Sequence, residues 1–209
     1  MIEVRNISKT LKGNQVLKDI SYIFENGKIY GIYGYNGCGK TMFLRSIAGL
    51  LILDQGQVII DGKELNKDVS FPESTGIVIE HMELLPNYTA LENLKILSKI
   101  KKTASDDDMK KALEKVGLQP DSSQKVKKFS LGMKQRLNIA QAIFEGQKIL
   151  LLDEPTNAID EKGIELIYNL LRSLKNQGAT IIIASHHKED LNELCDVTIK
   201  IEKGMIVNE

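Results

Sequence analysis

The sequence predicts an α/β fold with a mostly parallel sheet, and three observations carry that prediction. Short apolar runs alternate with helical patterns along most of the 209 residues. The runs are apolar on both faces, as in strands that helices cover on each side. A glycine-rich loop lies between one such run and a helix-like stretch. A chain of this length fits one domain, so we expect residues 1–209 to form a single unit with a helical lobe inserted at about 86–145.

The first 30 residues predict a small antiparallel unit. They alternate weakly in polarity and are interrupted by turn-forming residues at 12–14 and 25–28. This pattern favours two or three short strands joined by tight turns. A further hairpin is expected at Asp61-Gly62, directly after the run Gln57-Val58-Ile59-Ile60. Together these features predict an N-terminal antiparallel β subdomain.

The rest of the chain predicts the larger sheet and its helices. Buried strands are expected at 29–33, 76–79, 149–152, 180–184 and 197–201. The stretch 89–145 is mainly helical, which is the reason for expecting an inserted lobe. Between 160 and 178 the apolar positions follow a helical period, and Gly178 is the expected end of that helix.

A glycine-rich loop between the strand 29–33 and a helix-like run at 42–51 predicts a phosphate-binding site. The pattern G-x-x-x-x-G-K-[ST] is matched by Gly34, Tyr35, Asn36, Gly37, Cys38, Gly39, Lys40 and Thr41. The glycines let successive N–H groups point at phosphate oxygens, and the helix that begins near Met42 directs its positive dipole end into the same pocket. Lys40 is expected to reach the β and γ phosphates, while the Thr41 hydroxyl faces a magnesium ion. These features predict a P-loop NTPase core of the RecA-like type.

Two consecutive carboxylates follow the strand expected at 149–152. Asp153 is expected to hold Mg²⁺ through its water shell, because this ion prefers one or two carboxylates beside phosphate oxygens. Glu154 is expected to point toward the γ-phosphate and to polarise the attacking water as a general base. Together with the phosphate loop, these residues predict nucleotide hydrolysis.

A third motif opens a helix-like run at 129–136, with the sequence F-S-L-G-M-K-Q-R. Ser130 is the expected N-cap of that helix. A capped helix N-terminus beside a glycine makes a second cradle for an anion. With this motif the chain resembles the ATP-binding subunits of ABC transporters, in which the signature L-S-G-G-Q of one subunit closes over the ATP held by the other.

The resemblance spans nearly all of the chain and implies roles for further residues. Ser130 and Gly132 match the signature's serine and second glycine, whereas a leucine and a methionine replace a glycine and a glutamine. This variant is similar to that of ABC-2-type exporters of drugs and peptide antibiotics. Asp160 resembles the acid of the loop that crosses the dimer interface, and His186 resembles the histidine that senses the γ-phosphate. His187 is interpreted as solvated, because adjacent side chains diverge in direction.

Two positions depart from the family pattern. Where the family places a magnesium-contacting glutamine, this chain has Glu80, which can still ligate the ion. Its negative charge beside the γ-phosphate would weaken ATP binding unless the metal offsets it. Where the family usually stacks an aromatic residue on adenine, this chain has Leu11, so we expect modest base selectivity and weak ATP affinity.

The resemblance implies an ATPase that binds ATP and Mg²⁺ and powers a separate integral-membrane permease, with export of drugs, peptides or lipids favoured by the signature. Its other implied partner is a second copy of itself or a paralogous subunit, and its expected place is the cytoplasmic face of the cell membrane. Two alternatives remain open at this point. One is a soluble ABC ATPase of DNA repair or translation, and the other is a regulatory module that holds ATP with weak turnover.

The net charge and the length of the apolar runs limit the classes of partner that the chain is expected to bind. Lysine plus arginine and aspartate plus glutamate number 28 each, so the net charge favours neither nucleic acid nor an anionic surface. We expect no nucleic-acid partner. The N-terminus lacks the features of a signal peptide, and the apolar runs are far shorter than the roughly 20 residues needed to span a bilayer.

Overall fold

The structure, a computed structural model, describes residues 1–79 and 83–207, with residues 189 and 190 described by their backbone alone. Within these ranges two sheets and six α-helices are present. No helix in the described ranges has the length and apolar character needed to cross a bilayer.

The N-terminal sheet is antiparallel. Its strands are β1 (Ile2–Leu11), β2 (Asn14–Phe24), β4 (Gln55–Ile60) and β5 (Lys63–Glu64), in the spatial order β2-β1-β4-β5. Lys12 and Gly13 join the first two strands, and both have positive φ, 49° and 81°. Such two-residue turns match the right-handed twist of paired strands. The predicted antiparallel subdomain is confirmed, and its first two strands are longer than expected, at 10 and 11 residues.

The second sheet is mostly parallel. Its strands are β3 (Ile29–Tyr33), β6 (Thr75–Val78), β7 (Ile149–Asp153), β8 (Thr180–Ser185), β9 (Val197–Glu202) and β10 (Met205–Val207). The spatial order is β10-β9-β3-β8-β7-β6, and β10 alone among them runs antiparallel to its neighbour. The predicted parallel sheet is confirmed, and each predicted strand lies within one residue of an observed one.

Six helices complete the fold. They are α1 (Lys40–Ile47), α2 (Ala90–Lys101), α3 (Asp106–Lys115), α4 (Leu131–Ile143), α5 (Glu161–Asn176) and α6 (Lys188–Leu194). Helices α2, α3 and α4 form the helical lobe between β6 and β7. The predicted run at 42–51 is wrong at both ends, because α1 already begins at Lys40 and Gly49 turns the chain with a φ of 74°.

The parallel sheet is covered on both faces. Leu150 and Leu152 pack in a cluster with the helical lobe and α5, whereas Leu151 packs in a second cluster with α1 and the antiparallel sheet. Because side chains alternate along a strand, a strand buried on both faces must be apolar at every position. This packing explains why the sequence shows continuous apolar runs.

Gly76 in β6 lies at a close approach of the sheet to the helical lobe. A Cβ atom at this position would stand 1.8 Å from the carbonyl oxygen of Ala142 in α4. No side chain fits without moving one backbone away from the other. The glycine therefore fixes how closely the lobe packs on the edge of the sheet.

Gly76→Ala is expected to lower the free energy of unfolding by about 2–3 kcal/mol, because the added methyl group forces β6 away from α4. Denaturant unfolding of the purified protein measures the change. Thr75→Ala alters the same strand without adding atoms and should cost less than about 1 kcal/mol. If Gly76→Ala proved as stable as the unmodified protein, this close packing would be refuted.

Candidate active site

A cavity of about 580 Å³ opens where the carboxyl ends of β3, β7 and β8 meet. The residues that line it are Leu11, Val16, Asn36, Gly37, Gly39, Lys40, Thr41, Met42, Arg45, Asp153, Glu154, Asn157 and His186. Most of the residues predicted to bind nucleotide, bind metal or act in catalysis therefore share one cavity.

The loop between β3 and α1 can only be built with glycine at two positions. Gly34 has a φ of 153°, and a Cβ atom there would lie 2.2 Å from the carbonyl oxygen of Ile201. Gly39 has a φ of 116°, and its Cβ would lie 2.8 Å from the carbonyl oxygen of Val16. The loop is thus pressed against neighbouring backbone. A glycine-rich turn of this kind, in front of a helix N-terminus, can present N–H groups to an anion.

Lys40 stands at the start of α1 with its ammonium folded over the loop. The residue is 6 % exposed. Its Nζ donates to the carbonyl oxygens of Gly34 at 2.7 Å and Tyr35 at 3.3 Å. A buried cation that donates to neutral carbonyls is a strong attractor for the phosphates of a nucleotide.

Thr41 and Asp153 supply oxygen atoms suited to a hard cation. The Thr41 hydroxyl donates to Asp153 Oδ2 at 2.5 Å, and Asp153 is 4 % exposed. A hydroxyl and a carboxylate that converge beside the phosphate loop fit the preference of Mg²⁺ for few protein oxygens, with phosphate oxygens and waters completing its shell. Glu80, the other predicted ligand, lies outside the described residues, so its role stays a prediction.

The carboxylate of Glu154 is fixed by three donors. It accepts hydrogen bonds from the Ser185 hydroxyl at 3.2 Å and from the His186 N–H at 3.0 Å, and His186 Nδ1 lies 2.7 Å from Oε1. The Nδ1 contact is a hydrogen bond to the carboxylate in the tautomer of His186 that carries its proton on Nδ1. These contacts hold the carboxylate at the wall of the cavity, where a general base is needed.

The interpretation of His187 was partly wrong. Its side chain is exposed, as expected. However, the rings of His186 and His187 do not diverge, since their centroids lie 3.8 Å apart with 42° between the planes. His187 therefore packs on the ring that contacts Glu154.

Several predicted residues lie away from the cavity. Among the described residues that line it, Ser130, Gly132 and Asp160 are missing. Ser130 is the N-cap of α4, as predicted, and accepts the Met133 N–H at 3.1 Å. Of the loop residues, Gly34, Tyr35 and Cys38 do not line the cavity either; Tyr35 is 78 % exposed, and Cys38 is buried beneath the loop. One chain thus contributes its phosphate loop and its two acids to the cavity, but not Ser130 and Gly132 of the signature motif.

Sequence reasoning missed three contributors to the site. Ser185 holds Glu154, and it ends the strand that precedes His186. Arg45 lines the cavity because it lies one helical turn beyond Thr41, on the same face of α1. Asn157 lies in the loop after the two acids and also lines the cavity. For Arg45, its spacing of four residues from Thr41 on one helix is the sequence feature that could have predicted its place in the cavity.

Phosphoryl transfer requires positioning and charge neutralisation rather than covalent chemistry by the protein. The phosphate loop with its lysine, the threonine–aspartate pair and the fixed carboxylate lie together at the carboxyl ends of the parallel strands, an arrangement that suits this chemistry. The fold and the site are those of a P-loop nucleoside triphosphatase.

Comparison with known proteins gives the family. The family model described as ABC transporter matches residues 17–157. An uncharacterised ABC transporter ATP-binding protein of Bacillus subtilis (strain 168), YybJ, is 58 % identical over 206 residues, covering 99 % of this chain and 94 % of the relative. The chain belongs to the ABC transporter family and is one of its ATP-binding cassettes, an ATPase.

Two further similarities bear on the fold and on transport. The lantibiotic transport ATP-binding protein SrtF of Streptococcus pyogenes is 34 % identical over 210 residues, covering 100 % of this chain and 90 % of the relative. The ABC transporter cassette MJ0796, solved as a dimer and as a dimeric post-hydrolysis state with ADP and Pi, matches with a TM-score of 0.89 and 26 % identity. That match covers 100 % of this chain and 97 % of MJ0796. The predicted family and fold are confirmed.

Leu11→Tyr is expected to tighten ATP binding about 5-fold, since Leu11 lines the cavity and an aromatic ring adds on the order of 1 kcal/mol of stacking. Equilibrium titration with ATP measures the change. Inorganic triphosphate has no base and serves as the control ligand, whose affinity should not change. Tightening of both ligands alike, or of neither, would contradict the placement of the base beside Leu11.

Proposed function

We propose that this chain is the ATP-hydrolysing subunit that drives a separate membrane permease, an exporter of drugs, peptides or lipids. The observation that carries hydrolysis is the carboxylate of Glu154, fixed by three hydrogen bonds in the cavity that also holds Lys40 and Asp153. The name of the lantibiotic transport relative supports the export of peptides. On this proposal residues 1–209 act as one ABC ATPase domain at the inner face of the cell membrane.

The proposed mechanism assigns each side chain one task. Lys40 exchanges the carbonyls of Gly34 and Tyr35 for phosphate oxygens, and the loop amides hold the same group. Thr41 and Asp153 would hold Mg²⁺, which would supply neutralisation of phosphate charge. Glu154 accepts the proton of the attacking water, and His186 keeps the carboxylate turned toward the cavity.

A second copy, or a paralogous subunit, completes the site. Ser130, Gly132 and Asp160 do not line the cavity of their own chain, although they belong to motifs expected to contact nucleotide. An exposed capped helix N-terminus can receive the phosphates of a nucleotide bound to another chain. The dimeric form of the similar cassette supports this arrangement.

Glu154→Gln is expected to abolish at least about 99 % of steady-state phosphate release while ATP still binds, because the amide cannot take the water's proton. The arrested nucleotide should hold two chains together, which size-exclusion chromatography with ATP detects. Glu165→Gln, on the exposed side of α5, should keep full turnover. Undiminished hydrolysis by Glu154→Gln would remove the assigned base.

A weakly hydrolysing regulatory module is the second candidate, and one observation favours it. Leu11 lines the cavity at the position where an aromatic ring would stack on the base. We therefore expect a lower affinity for ATP than an aromatic residue at this position would give. The turnover number of the unmodified protein separates the two. A value near that of the Glu154→Gln variant would favour the module.

The permease is expected to dock in the cleft between the sheet core and the helical lobe. A cavity of about 500 Å³ lies there, lined by Phe71, Pro72, Glu73 and Ser74 of the core and by Lys101, Thr103 and Glu145 of the lobe. Phe71 is 60 % exposed at its edge. An exposed aromatic residue at a cleft between two subdomains suits a short apolar helix from a partner.

Phe71→Glu is expected to abolish co-purification with a membrane permease expressed from a neighbouring gene, because a charge replaces the apolar contact. ATP hydrolysis by the isolated subunit should remain within about 2-fold of the unmodified protein. Ile23→Glu, an equally exposed apolar position on the antiparallel sheet, is the control. Retention of the permease by Phe71→Glu would rule out this docking cleft.

A further inference from the structure

Helix α4 carries a side chain that reaches the backbone of the catalytic carboxylate. Gln135 Nε2 lies 3.2 Å from the carbonyl oxygen of Glu154 and 3.1 Å from that of Pro155. Both partners are acceptors, so only the nitrogen end of the amide satisfies them. Gln135 therefore fastens α4 to the turn that follows β7.

That turn is held partly by its own Asn157 N–H, which donates to the carbonyl oxygen of Glu154 at 3.2 Å, and partly by neighbouring elements. Glu154 has a φ of 46° and Ala158 a φ of 62°, a region that residues with a side chain rarely adopt. The N–H of Glu154 donates to the carbonyl oxygen of Ala184 at 2.9 Å. The amide side of Glu154 is thus held by β8, and its carbonyl side is held by Gln135.

Two more contacts join α4 to the same segment. A Cβ atom on Gly132 would lie 2.6 Å from the carbonyl oxygen of Ala158, so the missing side chain allows a close approach. One turn later, an Arg136 guanidinium nitrogen lies 2.6 Å from Asp160 Oδ1. The first two turns of α4 therefore contact the segment 154–160 at three successive points.

We propose that Gln135 is a positioning residue for Glu154. Its amide fixes the backbone from which the carboxylate reaches into the cavity, and it links that carboxylate to the helix whose N-cap is Ser130. A displacement of about 1 Å at a reacting group lowers a rate as much as 100-fold, so this link affects catalysis without touching the nucleotide. The inference rests on the proposed role of Glu154 as general base.

The test compares three variants of the full chain. Gln135→Glu keeps the shape but sets a carboxylate against two carbonyls, and its kcat should fall about 10- to 100-fold while KM for ATP stays within about 2-fold. Gln135→Lys keeps a donor, as the Lys40 ammonium does with two carbonyls of the phosphate loop, and should recover kcat to within about 3-fold of the unmodified protein. Gln141→Glu makes the same change further along α4 and should leave kcat within about 2-fold.

Four outcomes would overturn the proposal. They are a normal kcat in Gln135→Glu, a loss in Gln135→Lys as deep as in Gln135→Glu, an equal loss in Gln141→Glu, and a thermal unfolding midpoint of Gln135→Glu too low for the chain to be folded during the assay. The last outcome would assign Gln135 to folding rather than to positioning.

A double variant separates this inference from the assignment of the base. If Gln135 acts through Glu154, single-turnover hydrolysis by Gln135→Glu combined with Glu154→Gln should match that of Glu154→Gln alone within about 2-fold. Multiplied losses would contradict the positioning role and leave Glu154 as the base. Full turnover by Glu154→Gln alone would instead refute the proposed base itself.

Discussion

The register of three neighbouring parallel strands is the constraint on which the site depends. Tyr33 of β3 pairs with Ser185 of β8, and Asp153 of β7 pairs with Ala184 of β8. The residues that follow these strands therefore lie together at the carboxyl ends of the strands, although they are far apart in the chain. A slip of one residue would turn every side chain of a strand to the opposite face, and the burial of both faces opposes it.

The part of the site around Glu154 is held in place by residues of neighbouring elements. Strand β8 ends at Ser185, and this residue together with His186, which follows the strand, holds the carboxylate of Glu154. Helix α4 holds the backbone of Glu154. The left-handed conformation of Glu154 is sustained by these contacts rather than by its own preference. Polar groups fixed before the substrate arrives need no reorganisation during the reaction. On the proposed roles of Gln135 and Glu154, the helical lobe contributes to catalysis through α4.

Continuous apolar runs and glycine-containing turns were enough to predict both sheets, the helical lobe and the phosphate loop. The end of α1 was not predicted, because the apolar pattern continues past Gly49 while the backbone does not. The stacking of His187 on His186 and the hold of Gln135 on Glu154 depend on loop conformation, which residue spacing does not encode. Ser130, Gly132 and Asp160 were recognised by motif, yet one folded chain does not bring them to the cavity.

The way Lys40 is held has a consequence for the turnover cycle. Its ammonium has carbonyl oxygens to return to when phosphate departs, so an empty loop leaves no bare charge in the interior. Part of the attraction between Lys40 and a phosphate is offset because the ammonium must first break its hydrogen bonds to the carbonyl oxygens of Gly34 and Tyr35. The loop consequently grips less tightly than an unsatisfied cation would, and spent nucleotide can leave without the loop unfolding.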